Sequence, residues 1–241
     1  MTDIHGIQPM MYRLGKYKKT DPMSVLVCEN YPILLVMSRF GIPLGFGDKT
    51  IEEVCRDNRV DVDTFLSITN CLLDEDHAEV ENTRFSIEAM QYLHNSHDYF
   101  LDFKLPAIRR RLLDAIDCGQ KDVSFAILCF FDEYAAEVQK HMLYEEQVVY
   151  PYVTALLKKD TLPKGYSIEV FSKQHDQVEA KLGELKNILI KYYPAESSNE
   201  LNSVLFDIFT CEEDLASHNY IEDALFIPAI KKLEQERSKN V

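Results

Sequence analysis

The larger, C-terminal part of the chain carries apolar residues at helical spacing over four long segments. These segments cover residues 86–116, 123–157, 166–192 and 199–232. The stretches between them, at 118–122, 158–165 and 193–199, are polar or contain Pro or Gly, as is typical of loops. Four amphipathic helices with short connections predict an antiparallel up-down four-helix bundle over residues 86–235. No stretch alternates apolar and polar residues as a strand would, so the expected fold class is all-α.

Shorter helical segments precede the bundle and carry start signals of their own. Residues 20–22, Thr-Asp-Pro, predict a cap followed by the first turn of a helix. Asn30 predicts the start of a second helix that ends near Gly41. Thr50 and Glu53 have the spacing of a capping box, which predicts a third helix.

A fourth short helix is expected to begin at Asp61 or Asp63 and to end at Leu73. The polar stretch that follows is typical of a hinge. The sequence therefore predicts a tail at 1–19, a small helical domain at 20–74, a linker at 75–85 and the bundle at 86–235.

Charge and cysteine content narrow the classes of partner. The chain has 241 residues, with 26 basic and 40 acidic side chains and a formal net charge of −14. Such acidity disfavours binding to nucleic acid or anionic membranes, which attract cationic proteins.

The longest apolar run, at 31–37, is too short for a bilayer span, and the N-terminus lacks the apolar core of a secretion signal. The six cysteines form no C-x-x-C pair, which favours free thiols. We expect a cytoplasmic protein without nucleic-acid or membrane partners.

Five of the seven histidines fall in the four long segments, with at least one on each. They are His94, His97, His141, His175 and His218. Two stretches align without a gap: HMLYEEQVVYP begins at His141 and HNYIEDALFIP at His218. In each, a glutamate follows after four residues and a proline after ten, which indicates an internal repeat 77 residues apart.

Distances from the loops place one histidine of each helix at a similar height. His94 and His141 lie about 24 and 19 residues from the loop that joins their helices. His175 and His218 lie 18 and 19 residues from theirs. At a rise of about 1.5 Å per residue, such pairs on antiparallel helices come out nearly level. Four imidazoles can therefore meet at one depth of the bundle.

Two glutamates extend this set of histidines. Glu145 and Glu222 follow His141 and His218 by four residues, so each His–Glu pair shares a helix face. The six expected ligands are His94, His141, Glu145, His175, His218 and Glu222. They exceed the needs of one metal and suit two metals bridged by carboxylates, with open positions left over. Imidazole and carboxylate together favour iron, with manganese or zinc as alternatives.

Other interpretations remain open from the residues alone. His-x-x-x-Glu is common in an acidic helical protein, and His77 also has a glutamate four residues later. The histidines would then be packing residues of a metal-free interaction bundle. On the first long helix His97 competes with His94, because residues three apart share a face. His97, Asp98 and Glu179 could also support the ligands through hydrogen bonds.

The motifs resemble those of the hemerythrin-like di-iron proteins that repair iron–sulfur clusters, the RIC family, over nearly all of residues 20–235. In that family the first member of a His-x-x-His pair binds iron, and here LHNSH implies His94. HMLYEEQVVYP implies His141 and Glu145, SKQHDQVEAKL implies His175, and SHNYIEDALFIP implies His218 and Glu222. The resemblance therefore implies two non-haem irons, bridged by carboxylate and oxo groups.

The stretch VLVCENYPILLVMSRFGIPLGFGDKTIEEVCRDNRVDVDTFL resembles the small helical domain of the same family. The family usually has adjacent cysteines in the turn after the second helix. Here residues 43–47 read PLGFG, without a thiol. Thiol chemistry attributed to that pair therefore does not carry over to this chain.

The resemblance implies a role in nitrosative and oxidative stress. Damaged iron–sulfur clusters would be repaired by iron donation or by handling of nitric oxide. Nitric oxide or dioxygen would be the small ligand, and iron–sulfur proteins would be the clients. A reversible carrier or sensor of these gases, without turnover, is the alternative, so enzymatic activity is left undecided.

Overall fold

The computed structural model describes residues 16–73, 83–116, 121–162, 165–171, 179–193 and 199–239. The chain divides into two compact units, Met1–Val80 and Glu81–Val241. The division falls in the polar stretch whose composition predicts a hinge. All regular structure in the described residues is helical, apart from a single isolated bridge between Pro22 and Thr50. The all-α fold class is confirmed.

In residues 16–73, the part of the first unit that the structure describes, there are four short helices. They are α1 (Met23–Glu29), α2 (Ile33–Arg39), α3 (Ile51–Asp57) and α4 (Val62–Leu73). The predicted capping box is present: Thr50 accepts a hydrogen bond from the backbone N–H of Glu53, and the Glu53 carboxylate accepts from that of Thr50. Asp61 caps α4 by accepting from the backbone N–H of Thr64 at 3.0 Å.

Two of the predicted helix starts in this unit are wrong. Pro22 itself occupies the cap position of α1, and no side chain caps that helix. Pro32, and not Asn30, precedes α2, and the Asn30 side chain bonds Tyr17 instead. Proline fixes φ near the helical value, so it starts these short helices without a side-chain cap. Gly41 has φ of +68°, as expected just beyond the end of α2.

The second unit contains the four long helices, and among its described residues the first, second and fourth of them include a π-helical segment. The first bundle helix comprises α5 (Thr83–Asp98), π1 (Tyr99–Lys104) and α6 (Leu105–Ala115). The second comprises α7 (Lys121–Tyr144), π2 (Glu145–Val149) and α8 (Tyr150–Lys158). The third includes α9 (Ile168–Phe171) and α10 (Glu179–Lys191). The fourth comprises α11 (Asn199–Ile221), π3 (Glu222–Phe226) and α12 (Ile227–Lys239).

Neighbouring long helices run antiparallel. The helix α11 packs on α6 and α12 packs on α5, so the start of the fourth bundle helix meets the end of the first. In the same way α7 contacts both α6 and α10, and α10 contacts α11. This arrangement is the up-down four-helix bundle predicted from the sequence.

A continuous apolar core fills the part of the bundle between α6, α7, α10 and α11. Its largest fully buried members are Phe100, Phe131 and Tyr134. Across the solvent-exposed edge, Arg109 donates two hydrogen bonds to Asp132, at 2.6 and 2.9 Å, and so links the first and second bundle helices. Within the described residues, no helix combines the length and the apolar character needed to cross a membrane.

The cysteines of the described residues carry free thiols, as expected. They are Cys28, Cys55, Cys71, Cys129 and Cys211. Only Cys28 among these is exposed, and Cys118 lies outside the described residues.

Each of the three described π-helical segments ends two residues before a proline. Pro106, Pro151 and Pro228 stand at the second position of the α-helix that follows. A proline inside a helix lacks an N–H and its ring collides with the carbonyl four residues earlier. The wider π turn relieves that conflict. The result is a backbone hydrogen bond over five residues, from Tyr150 N–H to the carbonyl of Glu145 and from Ile227 N–H to that of Glu222.

Candidate metal centre

Four side chains with metal-binding atoms converge in the interior of the bundle. They are His97, Glu145, His218 and Glu222, and their ligand atoms all lie within 4.8 Å of one another. All four are buried; Glu145, His218 and Glu222 are 0% exposed and His97 is 2% exposed. Burying two carboxylates in one pocket is costly unless a cation or protons balance their charge. The cluster is therefore a strong candidate for a metal site.

His141 belongs to the same cluster through Glu145. Its Nε2 lies 2.8 Å from Glu145 Oε1, and Nε2 of His97 lies 2.8 Å from Glu145 Oε2. The two oxygens of one carboxylate thus face two different imidazoles. On the fourth bundle helix, Nε2 of His218 lies 3.5 Å from Oε1 of Glu222.

The internal repeat explains why these side chains meet. In both stretches the glutamate is the first residue of a π segment, and the histidine stands one α-helical turn before it. The proline ten residues after the histidine imposes the π turn. Single π turns inside α-helices occur often at functional sites. The repeat therefore encodes two copies of one local backbone, each presenting a His–Glu pair to the bundle interior.

His97 is held from behind by Glu146. Nδ1 of His97 lies 2.7 Å from Oε1 of Glu146, while its Nε2 points at Glu145. Nδ1 of His94 lies 2.7 Å from the same Glu146 oxygen. A carboxylate behind an imidazole fixes its tautomer, and leaves the other nitrogen for a metal.

The structure brings His97, and not His94, into the cluster. The His94 side chain is 43% exposed, against 3% for His97, and its Nε2 lies 3.9 Å from Asp98. His97 shares a stripe with two buried apolar residues, Leu93 and Phe100, four positions before it and three after it. Because that stripe faces the bundle axis, His97 points inward and His94 lies at the rim.

The structure also locates the other expected ligands that lie in the described residues. His141, Glu145, His218 and Glu222 all meet at the cluster. His175 lies in 172–178, outside the described residues. Of the predicted supporting residues, Asp98 is exposed, and its carboxylate faces the rim histidine His94.

The two buried glutamates titrate in opposite directions. Burial disfavours the charge on Glu145, but the imidazoles of His141 and His97, each 2.8 Å from one of its oxygens, outweigh burial and hold the pKa of Glu145 well below its usual range. Burial and the charge of Glu145 raise the pKa of Glu222 well above its usual range. Without a metal, one carboxylate is therefore ionised and the other carries a proton. Binding a cation would displace that proton.

The same electrostatics act on the neighbouring rings. Burial alone would lower the pKa of His97, but hydrogen bonds to Glu145 and Glu146 raise it above its usual value. Burial, together with the charges of Glu145 and Glu222, raises the pKa of Tyr150 well above its usual value. Tyr150 therefore remains a neutral phenol beside the cluster.

Aromatic rings form the walls of the cluster. Phe100 meets the His218 ring edge to face, with centroids 6.0 Å apart, and Phe171 stacks on His141 at 6.3 Å. Tyr150 stacks on His97 at 5.6 Å. Such walls lower the local dielectric and keep the imidazole rings in one orientation.

The donor set fits metal ions. Neutral imidazole nitrogens and carboxylate oxygens are ligands of iron, zinc and manganese. The fully buried carboxylate pair repels itself without a cation, as the raised pKa of Glu222 indicates. Glu145 presents one oxygen to each of two imidazoles, so that both of its oxygens lie beside groups that can bind metal.

Two residues of this site were not recognised in the sequence. Glu146 follows Glu145 directly, and the second repeat also has an acidic residue, Asp223, after its glutamate. That shared acidic pair is the signal that could have identified Glu146. Tyr150 had no such signal, because the equivalent residue of the second repeat is Ile227.

Fold and cluster together define a four-helix bundle with a buried His–Glu site that could hold a metal ion. The family model described as "Hemerythrin HHE cation binding domain" matches residues 88–230, more than half of the chain. This protein belongs to the hemerythrin HHE cation-binding family. Neither the comparison with curated proteins nor that with solved structures gave a match.

Proposed function

We propose that the bundle holds two non-haem iron ions that bind a small diatomic ligand. The proposed ligands are His97, His141, Glu145, His175, His218 and Glu222. The observation that carries the proposal is the position of Glu145, whose two oxygens each lie 2.8 Å from a different imidazole. A carboxylate in that position suits a bridge between two metals, and Glu222 supplies a second buried carboxylate.

The choice of His97 over His94 departs from the family resemblance. It is supported by burial and by the direction of Nε2, which faces Glu145 in His97 and the exposed Asp98 in His94. His175, which lies outside the described residues, enters the set on the resemblance and on the height that its spacing along the chain predicts.

When bound, a pair of ferrous ions can supply electrons and open coordination positions to dioxygen or nitric oxide. The protein's own groups prepare the site. Glu146 holds the proton on Nδ1 of His97, so that Nε2 presents its lone pair. Phe100 and Phe171 exclude water and fix the imidazole rings. Glu145 and Glu222 balance the positive charge of the two cations.

At the level of physiology, we propose repair of iron–sulfur clusters damaged by nitrosative or oxidative stress. The support is the resemblance of the ligand motifs and of the small N-terminal unit to the repair family. Iron donation or nitric oxide handling at the metal pair would be the chemistry, and iron–sulfur proteins the clients. The free thiols of the described residues are consistent with the cytoplasm.

The first unit favours a second candidate, a non-catalytic sensor or carrier of dioxygen or nitric oxide. Its turn at 43–47 has no cysteine where the repair family has a pair. Cys55 is buried, and burial raises the pKa of its thiol to about 12, so it is a poor nucleophile. A gas-binding module needs no such thiol.

Anaerobic iron loading tests the proposal. Purified protein is loaded with ferrous iron, desalted and assayed for metal, with Glu145→Ala and Glu222→Ala as variants. The expected result is about two irons per chain in the parent protein and less in both variants. A content near zero or one in the parent, or an unchanged content in both variants, would overturn the two-metal site.

Nitric oxide then separates the two roles. The loaded protein is exposed to nitric oxide and purged, and is also mixed with a nitric oxide-damaged iron–sulfur protein. Recovery of cluster absorbance, with metal-free protein as control, supports repair. Reversible spectral changes without recovery of the cluster support the sensor.

A further inference from the structure

A phenol hydroxyl lies inside the proposed metal site. The Tyr150 hydroxyl is 3.4 Å from Nε2 of His97, the same nitrogen that faces Glu145. Its ring lies nearly parallel to the imidazole, at 5° between planes, and the residue is 6% exposed. The hydroxyl is thus fixed beside the atom that would bind metal.

The internal repeat shows that packing alone does not require this hydroxyl. Ile227 occupies the equivalent place in the second repeat. The backbone is the same in both: each residue donates its N–H to the carbonyl of the glutamate five positions earlier. Both side chains are buried, at 6% and 3% exposed. An aliphatic side chain therefore packs equally well at this place of the fold. Only the first repeat puts a hydrogen-bond donor there.

Aromatic rings make the surroundings of the Tyr150 hydroxyl apolar. Phe226 meets the Tyr150 ring edge to face at 6.2 Å, and Phe100 covers His218. A hydrogen bond in such apolar surroundings is stronger than one in water. A metal on Nε2 of His97 would occupy the nitrogen that the phenol hydroxyl now faces. The O–H would then be available to a molecule bound at the metals.

We propose that Tyr150 is a positioning residue that donates a hydrogen bond to a small anionic ligand at the metal pair. This inference rests on the di-iron function proposed above and adds a ligand class to it. The favoured ligands are small anions with a terminal acceptor atom, of which azide is a stable example. Nitric oxide is neutral and a weak hydrogen-bond acceptor, so it gains little from the phenol.

Ligand titrations of iron-loaded protein test this assignment. Azide is titrated into the ferric form and nitric oxide into the ferrous form, both followed by absorbance, in the parent protein and in Tyr150→Phe. A hydrogen bond to a charged acceptor is worth enough for the variant to bind azide about tenfold more weakly. Its affinity for nitric oxide should stay within about twofold. Tyr152→Phe is the matched control, because the Tyr152 hydroxyl bonds Glu234 and not the cluster.

The outcomes separate this inference from the function on which it rests. A parent protein that takes up no iron defeats both. A loaded Tyr150→Phe with unchanged azide affinity, or with equal losses for both ligands, overturns the role of Tyr150 alone. A phenolate-to-iron absorption band in the parent that the variant lacks would also overturn it, by making Tyr150 a ligand. If Tyr150→Phe fails to load, Tyr150→Ile, which copies the second repeat, is titrated in its place.

Discussion

Nδ1 of His97 lies 2.7 Å from Oε1 of Glu146, while Nε2 of the same ring faces the buried carboxylate of Glu145. The ring is therefore held between a half-buried acceptor and the buried His–Glu cluster. His94 reaches the same Glu146 oxygen from the rim. One carboxylate thus fixes both histidines of the His-x-x-His pair, and only one of them has a nitrogen directed into the cluster.

Metal content should distinguish these two histidines. We expect His97→Ala to lose most of its iron, because it removes a proposed ligand, and His94→Ala to retain most of it. The measurement is iron per chain after anaerobic loading and desalting. The reverse pattern would return the ligand role to His94, as the family resemblance implies.

Glu146 should control affinity without being a ligand. Glu146→Gln keeps the size of the side chain but replaces a charged acceptor, so the tautomer and orientation of His97 are less well fixed. We expect metal affinity to fall about 10- to 100-fold with little change in helicity. Competition with a chelator measures the affinity. Glu133→Gln, exposed on the same helix, serves as the control, and a similar loss there would argue for a general charge effect.

Metal binding should release protons. The pKa values of Glu222 and His97 are raised in the metal-free protein, so both side chains hold protons that a cation must displace. We expect metal affinity to increase between about pH 6 and 8. Calorimetry in buffers of different ionisation enthalpy counts the protons. An affinity independent of pH would contradict the assigned protonation states.

The same shifts set the pH dependence of stability in the metal-free bundle. Groups with raised pKa values bind more protons in the folded than in the unfolded protein. The stability that this proton binding gives is therefore lost as the pH rises through their pKa values in the folded state. Glu145, whose pKa is lowered, is ionised in both states above about pH 5 and adds no slope there. We expect the metal-free bundle to lose stability from pH 5 to 8, as measured by chemical denaturation, and the loaded protein to lose less. A metal-free bundle that gains stability over this range would contradict the assignment.

The capping box of the first unit offers a test outside the metal site. Thr50→Ala removes the oxygen that accepts from the Glu53 N–H and should reduce the free energy of unfolding of this unit by about 1 kcal/mol. Denaturation followed by circular dichroism measures the change. Thr50→Ser keeps the hydroxyl and should restore most of the stability, whereas equal losses in both variants would point to packing of the threonine methyl.

Much of the site could be inferred from spacing along the chain. The repeat of His, Glu and Pro predicted that His141, Glu145, His218 and Glu222 lie together, because a separation of four residues puts two side chains on one helix face, and the structure brings them to one cluster. The proline also marked the π turn, although its structural consequence was not foreseen. The choice between His94 and His97 was harder, since residues three apart differ by a modest rotation about the helix axis.

The sequence by itself determined the helical bundle, the capping box and the pairing of each histidine with its glutamate, since these depend on contacts within one helix or on periodic burial. Only the tertiary structure decided which histidine of the first bundle helix faces the axis, and that Glu146 and Tyr150 lie behind and beside it. Those relationships join side chains about 50 residues apart. They depend on the rotation of each helix about its own axis, which is set by packing against the neighbouring helices and not by local spacing.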